Sequence, residues 1–222
     1  MVINLQNMQI KVRGNCFLEV MCLSILAGVS IALGGTVFLL LENKVLGAVF
    51  FVLGLLTVCT QGLYLFTGKV CYIFERDRKY LSRMPVVWLG NFLGAIIVAN
   101  LERFSRIGST LEDNARLLCS NKLADGYLSL VLLGFLCNML IYIAVDGYLT
   151  CQHDIGKYLS IFFGVTVFVL CGAEHCVADM YYFSVSGFMN LNALSRILAV
   201  TVGNILGGVF FPLLRRYGRN CF

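Results

Sequence analysis

Six stretches of almost uncharged, mainly apolar positions run along this chain, at about Val20–Leu41, Val45–Phe74, Met84–Leu101, Gly126–Val145, Tyr158–Met189 and Ile197–Leu214. Each reaches the roughly 18 residues that an apolar helix needs to cross a bilayer. Six membrane spans are therefore predicted, with charged residues gathered in the connections. Met1–Glu19 opens polar and is only weakly patterned, so no element is built on it. The connection Glu102–Asp125 is mixed in charge and predicts a short surface helix.

Two of the six stretches, Val45–Phe74 and Tyr158–Met189, are about ten residues longer than an unbroken helix requires. The centre of the first reads Gln61-Gly62-Leu63-Tyr64-Leu65-Phe66-Thr67-Gly68-Lys69. Its glycines and polar groups predict irregular backbone at membrane depth, which is tolerated only where protein or a cavity surrounds it. The second holds Cys171-Gly172-Ala173-Glu174-His175-Cys176-Val177-Ala178-Asp179-Met180, which puts three ionisable side chains in an otherwise charge-free span. Such groups are costly in a membrane unless they face protein or a water-filled path, so their default meaning is functional. His175 is read as the hub of a permeation pathway.

Laid on itself with an offset of 113 residues, the chain brings Lys44 onto Lys157, Phe50 onto Phe163, Gln61 onto Glu174, Gly90 onto Gly203, Asn91 onto Asn204 and Gly94 onto Gly207, without a gap. One domain over 1–222 then contains two three-span units, at about 16–105 and 126–217. An odd number of spans makes them enter the membrane in opposite directions, as an inverted repeat. A matched pair of interrupted spans points to a transport site at the bilayer midplane.

Composition agrees with this reading. The chain is 59% apolar and 13% charged, with a mean hydropathy of +0.84, far from the usage of soluble domains. A net charge of +5 does not imply nucleic acid, because the basic residues sit between spans. Eleven of them fall on one side and six on the other, which predicts both termini on the cytoplasmic side of the cell membrane. The first run, about twenty uncharged residues, is too long for a signal-peptide core, so no cleavage is expected. Ten scattered cysteines without a C-x-x-C pair read as small packing residues rather than a disulfide framework.

At these residues the chain resembles the formate/nitrite transporter family. Leu65-Phe66-Thr67-Gly68 is similar to the family's loop in the second span, and Gly172 to Met180 to its loop in the fifth. The two Gly-Asn-x-x-Gly stretches and Asn138 agree. The family usually has Asn where this chain has Asp179, an added carboxylate. The resemblance implies an all-α membrane protein of six transmembrane helices, aquaporin-like, with the second and fifth spans broken. It further implies a homopentamer in membrane lipid that conducts a small monovalent anion such as formate, nitrite or hydrosulfide, without a cofactor.

Carried over by position, the pore centre is His175 and Thr67, with Glu174, Asn138 and Asn204 around them. Phe51, Leu55, Leu65 and Phe168 match constrictions, and Lys44 and Lys157 match lysines of the two vestibules. A hydrogen bond between Glu174 and Asn138 is expected, since a buried carboxylate needs a donor.

Other classes lack their residues. The alternative, an aquaporin-like neutral-solute channel, calls for two Asn-Pro-Ala motifs, and the only prolines are Pro85 and Pro212. No His-Glu-x-x-His motif supports a metalloprotease, and the one other histidine, His153, lies in a loop, so a bis-histidine haem site is not supported either. Cys171, His175, Cys176 and Asp179 make a poor metal set, because neighbours on a helix do not share a face. No enzyme is indicated.

Overall fold

The computed structural model describes residues 17–219, so the Met1–Glu19 approach segment lies outside the described residues up to position 16. The described chain is all helical: α1 (Phe17–Leu40), α2 (Lys44–Thr60), α3 (Phe66–Val70), α4 (Arg78–Arg103), α5 (Gly108–Ala124), α6 (Tyr127–Thr150), α7 (Asp154–Leu170), α8 (Cys176–Val185) and α9 (Leu191–Arg219). Four of these, α1, α4, α6 and α9, are long and apolar enough to cross a membrane. Helix α2, with 17 residues, covers only about 26 Å at 1.5 Å per residue, short of the roughly 30 Å hydrocarbon core.

Both over-long stretches break where their polar centres lie, at 61–65 and at 171–175. Gly62 and Gly172 sit just past the ends of α2 and α7 with φ of 66° and 64°. That left-handed conformation suits glycine, which has no Cβ to collide with its own carbonyl.

The frame around the breaks consists of two tightly packed parallel pairs, α1 with α4 and α6 with α9, whose contacts climb together along both partners, from Ser24–Asn91 to Thr36–Glu102 and from Tyr127–Ser195 to Tyr142–Arg215. Small residues let these backbones approach closely, as lipid-embedded helices require. A Cβ on Gly94 would overlap the Ile25 carbonyl, and one on Gly207 would overlap the Phe135 carbonyl.

Three expectations change. The basic connection Glu75–Arg83 is half helix, because Asp77 caps α4 by accepting from the Tyr80 N–H at 2.8 Å. The connection after α4 is more than a surface helix: α5 has 17 residues and buries Leu111, Ala115 and Cys119 against the bundle. Glu102, read as the first residue of that connection, is a buried member of α4 that accepts from Thr36 at 2.5 Å and from Tyr181 at 2.6 Å.

Candidate functional site

Backbone left unpaired at a helix break must find partners elsewhere. Two asparagines supply them. Asn91 on α4 accepts from the Phe66 N–H (2.8 Å) and donates to the carbonyls of Ser24 (2.7 Å) and Tyr64 (2.9 Å). Asn204 on α9 accepts from the Cys176 N–H (2.9 Å) and donates to the carbonyls of Gly134 (2.8 Å) and Glu174 (2.9 Å). Each asparagine thus pins the start of a short helix to two neighbouring segments.

The matching partners correct the gap-free offset. From Phe66 to Asn91 is 25 residues, whereas from Cys176 to Asn204 is 28. The last helices correspond at 113, but the breaks correspond at 110, so that Tyr64 matches Glu174 and Leu65 matches His175. Three extra residues lie between the start of α8 and Asn204. Lys44, at the start of α2, consequently aligns with Asp154 at the start of α7 rather than with Lys157.

The two short helices meet at the proposed centre. Thr67 Oγ1 on α3 lies 2.9 Å from His175 Nε2, the residue that caps α8. Both are buried, at 0% and 2% exposure. Nδ1 of His175 accepts from the Ala178 N–H at 3.2 Å, which puts the proton of the neutral ring on Nε2, directed at Thr67. The Phe168 ring stacks on the imidazole at 5.8 Å, and Phe51 meets Phe168 edge to face at 5.9 Å. Leu55 and Leu65 are each 1% exposed in the surrounding core.

Phe51, Phe168 and His175 form the floor of a cavity of about 490 Å³, whose walls include Phe38, Lys122, Glu174, Asp179 and Tyr182. Lys122, on α5, is its cation. It ion-pairs with Glu174 Oε2 and lies 2.9 Å from Asp179 Oδ1. The expected bond between Glu174 and Asn138 is not made. Asn138 donates instead to the carbonyls of Thr67 (3.1 Å) and Asn204 (2.6 Å), holding α3 against α9. An amide already spent on two carbonyls has nothing left for a carboxylate that an ammonium satisfies better.

Neither vestibule lysine lines this cavity, although Lys44 lies 4.9 Å from the ring of its wall residue Phe38. Lys44 is exposed and caps the end of α1 by donating to the carbonyls of Leu41 (3.0 Å) and Phe38 (3.3 Å). Lys157 pairs with Asp154 at 2.9 Å near the opposite end of the bundle. Lys122 and Asn91 were not among the candidates. Asn91 was visible as half of the repeated Gly-Asn-x-x-Gly motif. Lys122 carried a fainter signal, since Leu111, Ala115, Cys119 and Lys122 recur at helical spacing on one face.

The family profile described as Formate/nitrite transporter matches residues 5–218. Nitrite transporter NirC of Escherichia coli (strain K12) is 30% identical over 213 residues, covering 85% of this chain and 78% of its own length. Formate channel FocA of Haemophilus influenzae is 26% identical over 212 residues, covering 79% and 74%. A solved pentameric formate channel with formate bound has the same fold, with a TM-score of 0.80 at 24% identity over 93% of this chain and 98% of that one.

Proposed function

This chain belongs to the formate/nitrite transporter family, and from that premise we propose that it moves small monovalent weak-acid anions, such as formate, nitrite or hydrosulfide, through a pore centred on His175. The family consists of transporters and channels, and this multi-pass helical protein is one of them. Its six spans, in this reading, are the four long helices together with the broken pairs α2–α3 and α7–α8, arranged as two inverted repeats. Support comes from the two asparagine anchors and from the paired positive-φ glycines. With the termini cytoplasmic, the cavity opens on the outer face.

One observation carries the functional reading: Thr67 and His175, from two separate helix breaks, meet beneath a cavity that holds Lys122, Glu174 and Asp179, and behind a pair of aromatic rings. A bare anion is strongly disfavoured at such rings because desolvation penalises charge. The same falling polarity raises the pKa of a carboxylic acid substrate, so the neutral acid becomes competitive there. Lys122 is already neutralised by Glu174, and the Thr67 hydroxyl and the His175 Nε2–H are the groups that offer the anion hydrogen bonds. Coupling to protonation of His175 carries a built-in condition. A proton on Nδ1 displaces the Ala178 N–H and uncaps α8, so the charged ring forms only with an anion beside it.

Stopped-flow uptake by proteoliposomes across formate, nitrite, hydrosulfide, acetate and lactate, at two external pH values, tests the substrate class. Uptake of the three smallest species, rising as external pH falls, is expected; transport of neutral solutes alone would refute the reading.

A homopentamer with one pore per protomer is the expected assembly, supported by apolar side chains exposed along α1, α4 and α6. Native mass spectrometry in mild detergent should show five copies, and a stable monomer or dimer would contradict this. For the vestibule lysines, both already partnered, Lys44→Ala and Lys157→Ala should slow uptake by less than about tenfold, the low end of electrostatic focusing. The effect should vanish at high salt; unchanged rates at low salt would leave these lysines as helix-end residues only.

A further inference from the structure

Asp179 is a carboxylic side chain, 2% exposed, in the wall of the cavity and one turn after His175. Its carboxyl and that of Glu174 lie against the same Lys122 ammonium, with Asp179 Oδ1 at 2.9 Å, and neither Asp179 oxygen has a hydrogen-bond partner among the described residues. Among the described residues, Lys122 is the one cation at either carboxyl. Besides His175, the ionisable groups facing Asp179 are Cys119 and Lys122 from α5, Cys137 from α6, Glu174, and Cys176 and Tyr182 on α8. Two buried carboxylates beside a single ammonium are not both ionised, because like charges at this range disfavour each other.

We propose that Asp179, the second carboxyl beside a single ammonium, carries a proton, and that Asp179 donates it to the anion in the cavity before the anion meets the Phe51–Phe168 pair. The O–H bond of the Asp179 carboxyl breaks and an O–H (for hydrosulfide, an S–H) bond forms on the substrate. The remaining carboxylate is held by Lys122 until a solvent proton from the outer cavity restores the pair. Asp179 is then a proton donor placed ahead of the constriction, so that neutralisation of the substrate does not wait for His175. The inference rests on the proposed transport function and concerns the same site.

Formate uptake by proteoliposomes, measured between external pH 5 and 8, tests it. Asn is isosteric with Asp and keeps α8 packed, so Asp179→Asn should assemble normally. At pH 7 it should take up formate about a hundredfold more slowly, the lower end of what a positioned acid contributes. The difference should narrow toward pH 5, where solvent supplies more neutral acid. Glu174→Gln leaves Asp179 alone with Lys122 and therefore ionised, so it should show the same loss at pH 7; it also serves as the deciding variant if Asp179→Asn fails to fold. A folded variant of either kind that keeps the wild-type rate and pH profile overturns the proposal. His175→Phe run alongside separates the two readings: inactive His175→Phe with wild-type-like Asp179→Asn sinks only the Asp179 inference, whereas active His175→Phe sinks the pore-centre reading itself.

Discussion

Replacing His175 with Phe should leave an assembled oligomer that takes up formate or hydrosulfide at close to the background rate. Phenylalanine keeps the ring bulk beneath Phe168, so the core stays filled. What disappears is the Nε2 group 2.9 Å from Thr67 and the acceptor for the Ala178 N–H. Loss of the cap costs about 1 kcal/mol of stability, which a bundle of this size tolerates. Loss of the polar centre acts on the barrier instead. Removing about 4 kcal/mol of stabilisation there slows flux about a thousandfold. His175→Asn separates the two effects, since it restores an acceptor for the cap without a titrating ring. It should recover thermal stability but not transport. Flux through His175→Phe at the wild-type rate would show that the pore works without this residue.

The second large effect concerns folding rather than flux. Asn204→Leu should prevent recovery of folded protein. The substitution removes two donors and an acceptor, stranding the carbonyls of Gly134 and Glu174 and the N–H of Cys176. Each buried orphan costs about 1–3 kcal/mol, so together they reach a large share of the roughly 5–15 kcal/mol that holds most proteins folded. Asn91→Leu should do the same at the other break. Size-exclusion profiles and thermal unfolding in detergent report the outcome, and a monodisperse Asn204→Leu protein with a wild-type Tm would contradict the anchoring role.

Hydropathy and residue type made the long helices, both breaks and the central histidine legible before any coordinates. Thr67 and His175 came from the loop motifs, and the structure brings them into contact. A single constant offset could not show the true match of the breaks, because three residues gained after the start of α8 shift the first part of the repeat against the last. The asparagines and glycines fitted 113, and that agreement hid the 110 of the loops. Lys122 was hidden for a different reason. It lies 52 residues from Glu174, and in the charge tally it was one more basic residue between spans. Only the three-dimensional course of α5 turns it toward two carboxylates. Glu102 was missed in the same way, since a carboxylate at the edge of an apolar run reads as solvent-exposed until Thr36 and Tyr181 are seen to hold it.

The crossed seating of the short helices has a consequence for biogenesis. Helix α3 rests against α4, α6 and α9, and α8 rests against α1, α4, α5 and α9. Thr67 leaves the ribosome 108 residues before His175, a delay on the order of ten seconds at cellular elongation rates. Through that interval α3 has neither its histidine partner nor the last helix on which it packs. The centre of the protein therefore closes only after α9 has been made and brings Asn204 into place. A chain stalled or cut before that point has its first break already held by Asn91, but leaves the Cys176 N–H and the Glu174 carbonyl at the second break without Asn204.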